Sequence, residues 1–178
     1  MRLELLQERR CDYAPMIAKN LDLSTVYSLG EKADQAVEWK VDFDLADLIR
    51  ALGGTIHYID YADFRQYEKL FENSIYVHEN DRFDILLPAY ATSADHRYTL
   101  AHELGHYLLH RKEMTFACRS GETQIEKESD CFALGFLMPK AVFEPYVERH
   151  GKSVRLLSIA FQVPEFAVQS RLRSLALD

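Results

Sequence analysis

The segment Arg97-Tyr98-Thr99-Leu100-Ala101-His102-Glu103-Leu104-Gly105-His106-Tyr107-Leu108-Leu109-His110 constrains this chain more than any other stretch. Its pattern is coherent only on a helix. Residues four apart on an α-helix lie about 40° apart around the axis and about 6 Å apart along it. His102 and His106 can therefore close on one metal ion, and Glu103 between them projects to a neighbouring direction. Tyr98, Ala101, Leu104 and Leu108 recur at helical spacing and predict the buried face. Thr92, Ser93 and Asp95 are candidate N-caps, and Arg111 and Lys112 complement the dipole at the far end. Gly105 costs about 1 kcal/mol relative to alanine inside a helix, so it calls for a close approach by another backbone or by substrate. The competing reading is a helix whose histidines line a polar seam.

Two imidazoles leave a catalytic metal site one protein ligand short. His110 fails on distance: it lies about 12 Å from His102 along a straight helix and reads as a helix-end histidine. The spacing H-E-x-x-H-x-x-G-x-x-H is also absent, because Leu109 and Lys112 stand at the later positions. The next helical segment, Ile125 to Pro139, offers Glu126, with Asp130 four residues on and hence on the same face. Glu126 can complete a two-His-one-Glu set. Asp130 can accept the remaining ring N–H of a ligating histidine and fix its orientation. Glu128 is the competing ligand; it points about 200° away from Glu126, and only Glu126 brings Asp130 with it. A bland alternative for Glu126 is a capping box with Thr123, and for Asp130 a solvated carboxylate.

The rest of the chain predicts an α+β fold, a small antiparallel or mixed sheet packed on helices. Residues 2–20 read as helical, interrupted at Pro15. Ser28-Leu29-Gly30-Glu31 resembles a capping box that opens a helix to about Trp39. A helix from Leu45 to Leu52 is closed by Gly53-Gly54, followed by a strand over 55–59. Ser74–His78 and Phe83–Leu87 form a hairpin around Glu79-Asn80-Asp81, leading into the motif helix. Residues 153–176 mimic a helix-turn-helix. The 178 residues fit a single domain over 1–178, with a catalytic core at about 40–150 and a helical subdomain at about 151–178.

Composition narrows the setting. The net charge of −7 argues against nucleic-acid binding by charge. Over the last helices, Lys152, Arg155, Arg171 and Arg173 against Glu165 and Asp178 give only about +2. Cys11, Cys118 and Cys131 form no C-x-x-C and are odd in number, which favours a reducing compartment. The charged N-terminus lacks an apolar h-region and no stretch reaches the roughly 20 apolar residues of a membrane helix, so a cytoplasmic location is expected.

R-Y-T-L-A-H-E-L-G-H-Y-L-L-H followed by E-K-E-S-D-C-F-A-L-G-F-L-M-P resembles the ImmA/IrrE family of metallo-endopeptidases. Its second motif is similar to E-x-E-A-N-x-F-A-x-x-L-L-M-P. Position by position, His102 and His106 match its zinc ligands, Glu103 its catalytic glutamate and Glu126 its third ligand. Ser129-Asp130 replaces the usual Ala-Asn, and Gly135-Phe136 departs from the usual pair. The likeness is strong over about 83–139 and weaker outside. It implies a gluzincin-like, zincin-type fold with one Zn²⁺, and a protein substrate, typically a phage- or stress-type helix-turn-helix repressor.

The expected chemistry is hydrolysis of a peptide bond, with Glu103 passing a proton from water to the leaving amine. Tyr98, His96 and Arg97, just upstream of the ligands, are candidates for an oxyanion or substrate contact. The strand 83–87 is a candidate for aligning substrate by strand addition. The alternative function is a metal-binding regulator that docks a repressor without cutting it.

Overall fold

The computed structural model describes residues 3–36, 44–67, 73–118 and 123–177. Nine α-helices are described: α1 (Leu3–Glu8), α2 (Leu23–Ala36), α3 (Leu45–Ala51), α4 (Tyr61–Gln66), α5 (Ser93–His110), α6 (Gln124–Leu137), α7 (Lys140–His150), α8 (Val154–Phe161) and α9 (Glu165–Ser174). The strands are β1 (Ala14–Pro15), β2 (Gly54–Ile59), β3 (Asn73–Val77), β4 (Phe83–Pro88) and β5 (Thr115–Cys118). They form one sheet in the order β1-β5-β3-β4-β2. The sheet is mixed: β3 is antiparallel to β4 and β5, while β2 runs parallel to β4 and β1 parallel to β5. The α+β expectation holds.

Several local expectations change. The N-terminal helix stops at Glu8, and Ala14-Pro15 becomes an edge strand instead. Ala14 N donates to Met114 O just before β5 and Met16 N to Phe116 O on it, so the residue that lacks an N–H sits where none is needed. Ser28 and Glu31 lie inside α2, which begins five residues earlier, beside Asp22, whose carboxylate accepts from Thr25 N. The expected end at Trp39 lies outside the described residues. Leu108 is exposed; Tyr107 takes its place on the buried face of α5 with Leu100, Ala101 and Leu104. β4 is not free to add a substrate strand, because β3 and β2 occupy both of its edges.

The side of the sheet that carries Ile75, Val77, Ile85 and Leu87 packs on α5 and α6, and the same core continues through Leu157, Phe161, Val168 and Leu172 of α8 and α9. The other side carries Tyr76 and Leu86 against Leu6, Tyr13 and Tyr67. Asp84, buried within β4, takes His57 Nε2 at 3.2 Å and His78 Nε2 at 2.9 Å. Burial would raise its pKa, but the two imidazole contacts outweigh that and hold it well below the carboxylate range.

Helix α6 is clamped between α2 and α5. A Cβ on Gly30 would lie 2.3 Å from Phe132 O, and one on Gly135 2.3 Å from Tyr27 O, so α2 and α6 touch backbone to backbone there. Arg171 of α9 is buried, donates to Met138 O at 2.9 Å and pairs with Glu31 of α2. That contact fixes α9 beside the end of α6. It also removes Arg171 from the surface charge of the helix-turn-helix-like segment. Among the described residues, no helix is long and apolar enough to cross a membrane.

Candidate metal centre

Helix α5 starts in a capping box. Thr92 Oγ1 accepts from Asp95 N at 3.1 Å while the Asp95 carboxylate accepts from Thr92 N at 3.2 Å. Between three and four turns later, past its midpoint, α5 meets α6. A Cβ on Gly105 would lie 3.2 Å from Ser129 Cα and 3.2 Å from Ser129 O. Gly105 thus lets α6 approach closely enough for Glu126 to reach across, which is the backbone contact its sequence position called for. Glu126 faces the histidines, so the Thr123 capping box does not form.

Three ligating side chains converge. His102 Nε2 and His106 Nε2 are 3.0 Å apart, His102 Nε2 is 3.2 Å from Glu126 Oε2, and His106 Nε2 is 3.3 Å from Glu126 Oε1. Among the described residues, these three are the group whose donors gather tightly enough to hold a metal ion. Donors bonded at about 2.0–2.1 Å in a tetrahedral shell lie about 3.3 Å from one another, so the observed spacing fits one small divalent ion. The orientation of His102 adds a second argument. Its Nδ1 lies 2.8 Å from Asp130 Oδ1, a contact that places the ring proton there. Nε2 then faces a second imidazole nitrogen and a carboxylate, a set that calls for a cation, proton or metal, at its centre.

The electrostatics agree. Burial would strip His102 of charge, yet the Asp130 and Glu126 contacts raise its pKa to about 10. Burial would raise Glu126, yet the two histidines hold it down at about 2. Without metal, His102 keeps its proton beside the ionised Glu126 at neutral pH, and a divalent ion would take that proton's place. Tyr98 donates its phenol proton to Asp130 Oδ1 at 2.9 Å, steadying the carboxylate that steadies His102. Among the described residues, His106 Nδ1 has no hydrogen-bond partner.

The cluster opens into a cleft of about 360 Å³ lined by Ser74, Tyr98, Thr99, His102, Glu103, Glu126, Asp130 and Phe166. Glu103 is buried beside it, and its Oε2 accepts from Ser74 Oγ at 2.8 Å. Of the predicted residues, His102, Glu103, His106, Glu126, Asp130 and Tyr98 are brought together. Tyr98 lies in the cleft with its hydroxyl donating to Asp130 Oδ1. His96 and Arg97 do not reach the cleft: they line a separate depression with Asp44, Tyr58 and Gln162, and His96 Nε2 is 2.7 Å from Pro88 O. Glu128 turns away from the metal cluster and is fully buried against His110.

Ser74, Thr99 and Phe166 are the cleft residues that the sequence did not single out. Thr99 was legible in principle, being one helical turn before His102 and Glu103. Phe166 comes from α9, where it meets Tyr98 edge-on at 5.0 Å between ring centroids, and no local pattern announces that.

Two imidazoles and a carboxylate from a crossing helix pair, with a second carboxylate in the same cleft and a mixed sheet behind, define a zincin-type metallopeptidase architecture. The family model Peptidase_M78, the IrrE N-terminal-like domain, matches residues 49–173. The chain belongs to this ImmA/IrrE family, whose activity is that of metallopeptidases. No curated protein matches the chain.

Proposed function

We propose that this chain is a zinc-dependent endopeptidase that cuts one specific protein, a helix-turn-helix repressor of phage or stress-response type, in the cytoplasm. The observation that carries the catalytic part is the convergence of His102, His106 and Glu126 at 3.0–3.3 Å with Glu103 in the same open cleft. Imidazole and carboxylate donors in that number suit zinc. The repressor rests on the family likeness. Residues 1–178 are read as one metallopeptidase domain, an assignment supported by a core continuous from α5 into α9.

His102, His106 and Glu126 would hold the ion, and Asp130 orients His102 through Nδ1. Zinc, when bound, polarises the scissile carbonyl and acidifies water. Glu103 accepts the proton of the attacking water and returns it to the leaving amine. The half-open cleft admits an extended peptide on the side of Thr99 and Phe166. Phe166 presents an exposed ring there.

The test is a purified mixture of the zinc-loaded chain with a candidate helix-turn-helix repressor. Glu103→Gln should keep one zinc per chain and lose cleavage by about 10²- to 10⁴-fold, the usual worth of a general base. Undiminished cleavage by that variant overturns the mechanism. A stoichiometric complex without fragments favours a docking regulator.

A further inference from the structure

We infer that Ser74 is the positioning residue of Glu103, aimed at it by a bulge in β3; this rests on the reading of Glu103 as the general base. β3 pairs regularly with β5 at Val77↔Thr115, Tyr76↔Phe116 and Ile75↔Ala117, and then Asn73 pairs with Cys118. Ser74 is therefore one residue extra: two residues of β3 oppose one of β5. In an unbroken pleat side chains alternate, and Ser74 would share the face of Tyr76. That face packs on Leu6, Tyr13 and Leu86, on the opposite side of the sheet from α5. Yet Ser74 Oγ reaches Glu103 on α5. A bulge breaks the alternation and re-aims a side chain, and such irregularities are concentrated beside active sites.

The contact is selective. Ser74 and Glu103 are 3% and 2% exposed, so this carboxylate has little water to rely on, and an unsatisfied buried anion is costly. The hydroxyl donates to Oε2 and leaves Oε1 to take the proton in transit. Ser74 thereby fixes the side-chain rotation of Glu103 without blocking the oxygen that works. A general base must sit within hydrogen-bond reach of the proton it takes, so a loose carboxylate lowers turnover more than it lowers substrate binding.

The experiment uses Ser74→Ala and Ser74→Thr in the zinc-loaded full chain, with carbon-13-labelled glutamate. The Glu103 carboxyl resonance, assigned by its loss in Glu103→Gln, should move in Ser74→Ala and return in Ser74→Thr, which keeps the donor. In parallel, kcat should fall by about 10- to 100-fold in Ser74→Ala, the worth of one charge-assisted hydrogen bond, with KM and bound zinc unchanged. Ser74→Thr should recover most of that loss. A resonance that stays put, or a Ser74→Ala variant with wild-type kcat, overturns the inference. A wild-type protein that cuts nothing while the resonance moves instead overturns the protease reading, and the catalytic role of Ser74 with it.

Discussion

Helices α5 and α6 are joined by histidine–glutamate contacts at two places that differ in almost every physical respect. At the open end, His102 Nε2 lies 3.2 Å from Glu126 Oε2; at the closed end, His110 Nε2 lies 2.7 Å from Glu128 Oε2. In the first, the acceptor is short of donors and a second imidazole arrives beside it. In the second, Glu128 also accepts from Lys19 N at 3.0 Å, Leu21 N at 3.0 Å and Gln124 Nε2 at 3.1 Å. Its oxygens are filled by fixed hydrogens and have no lone pair left for an ion. The histidines respond in opposite directions: His102 is raised to about 10, whereas burial lowers His110 to about 4 despite the bond to Glu128. Chemical type is the same in both pairs. What separates a candidate metal site from a structural latch is whether the carboxylate is already saturated and whether a third ligand converges.

The comparison predicts a division of effects between stability and metal. The largest change is in folding. Glu128→Ala removes four bonds at a fully buried carboxylate and releases the 19–21 segment, so urea unfolding should show a loss of about 3 kcal/mol. Folded protein should still bind one zinc. An unchanged urea midpoint would break the latch half of the comparison. Next, Asp130→Ala frees the His102 ring and should weaken zinc binding by about 10- to 100-fold, the usual effect of losing an outer hydrogen bond to a ligating imidazole, with little change in stability. Competition against a chelator measures it; undiminished affinity would mean that Asp130 does not orient His102.

The smallest effect is pH-dependent. His110 has a folded pKa of about 4, below the ordinary value of roughly 6.5 in an unfolded chain. Between those values the unfolded chain binds more protons, so stability rises with pH. The contribution of neutral His110 is complete above about pH 6.5 and is lost as pH falls toward 4. His110→Gln cannot titrate, and the wild-type protein should lose about 1 to 2 kcal/mol more than it does over that window. Parallel stability curves for the two proteins would remove the burial argument for His110.

The helical part of the site was legible because periodicity alone orders it. The i,i+4 relation of His102 to His106, and of Glu126 to Asp130, already selected Glu126 over Glu128. Even the two-sided burial of β4 was written in its run Phe83-Asp84-Ile85-Leu86-Leu87, since a nearly continuous apolar strand belongs inside a sheet. Strand addition at β4 was expected because the hairpin with β3 is local, whereas its pairing to β2 is not. Ser28-Leu29-Gly30-Glu31 carried a start signal, yet tertiary contacts at Gly30 placed it inside α2. β1 and β5 are too short to show a period, and each depends on a partner about a hundred residues away. Ser74 was hidden for a sharper reason: its direction is set by a slip in strand register, and regular alternation would place it on the wrong face.

The central claim is that Glu126, and not Glu128, completes the metal site with His102 and His106. Zinc per chain after exhaustive dialysis, measured on Glu126→Gln and Glu128→Gln side by side, tests it most directly. The account predicts near-complete loss of zinc from Glu126→Gln and full retention by folded Glu128→Gln. Zinc retained by Glu126→Gln and lost from folded Glu128→Gln would contradict it.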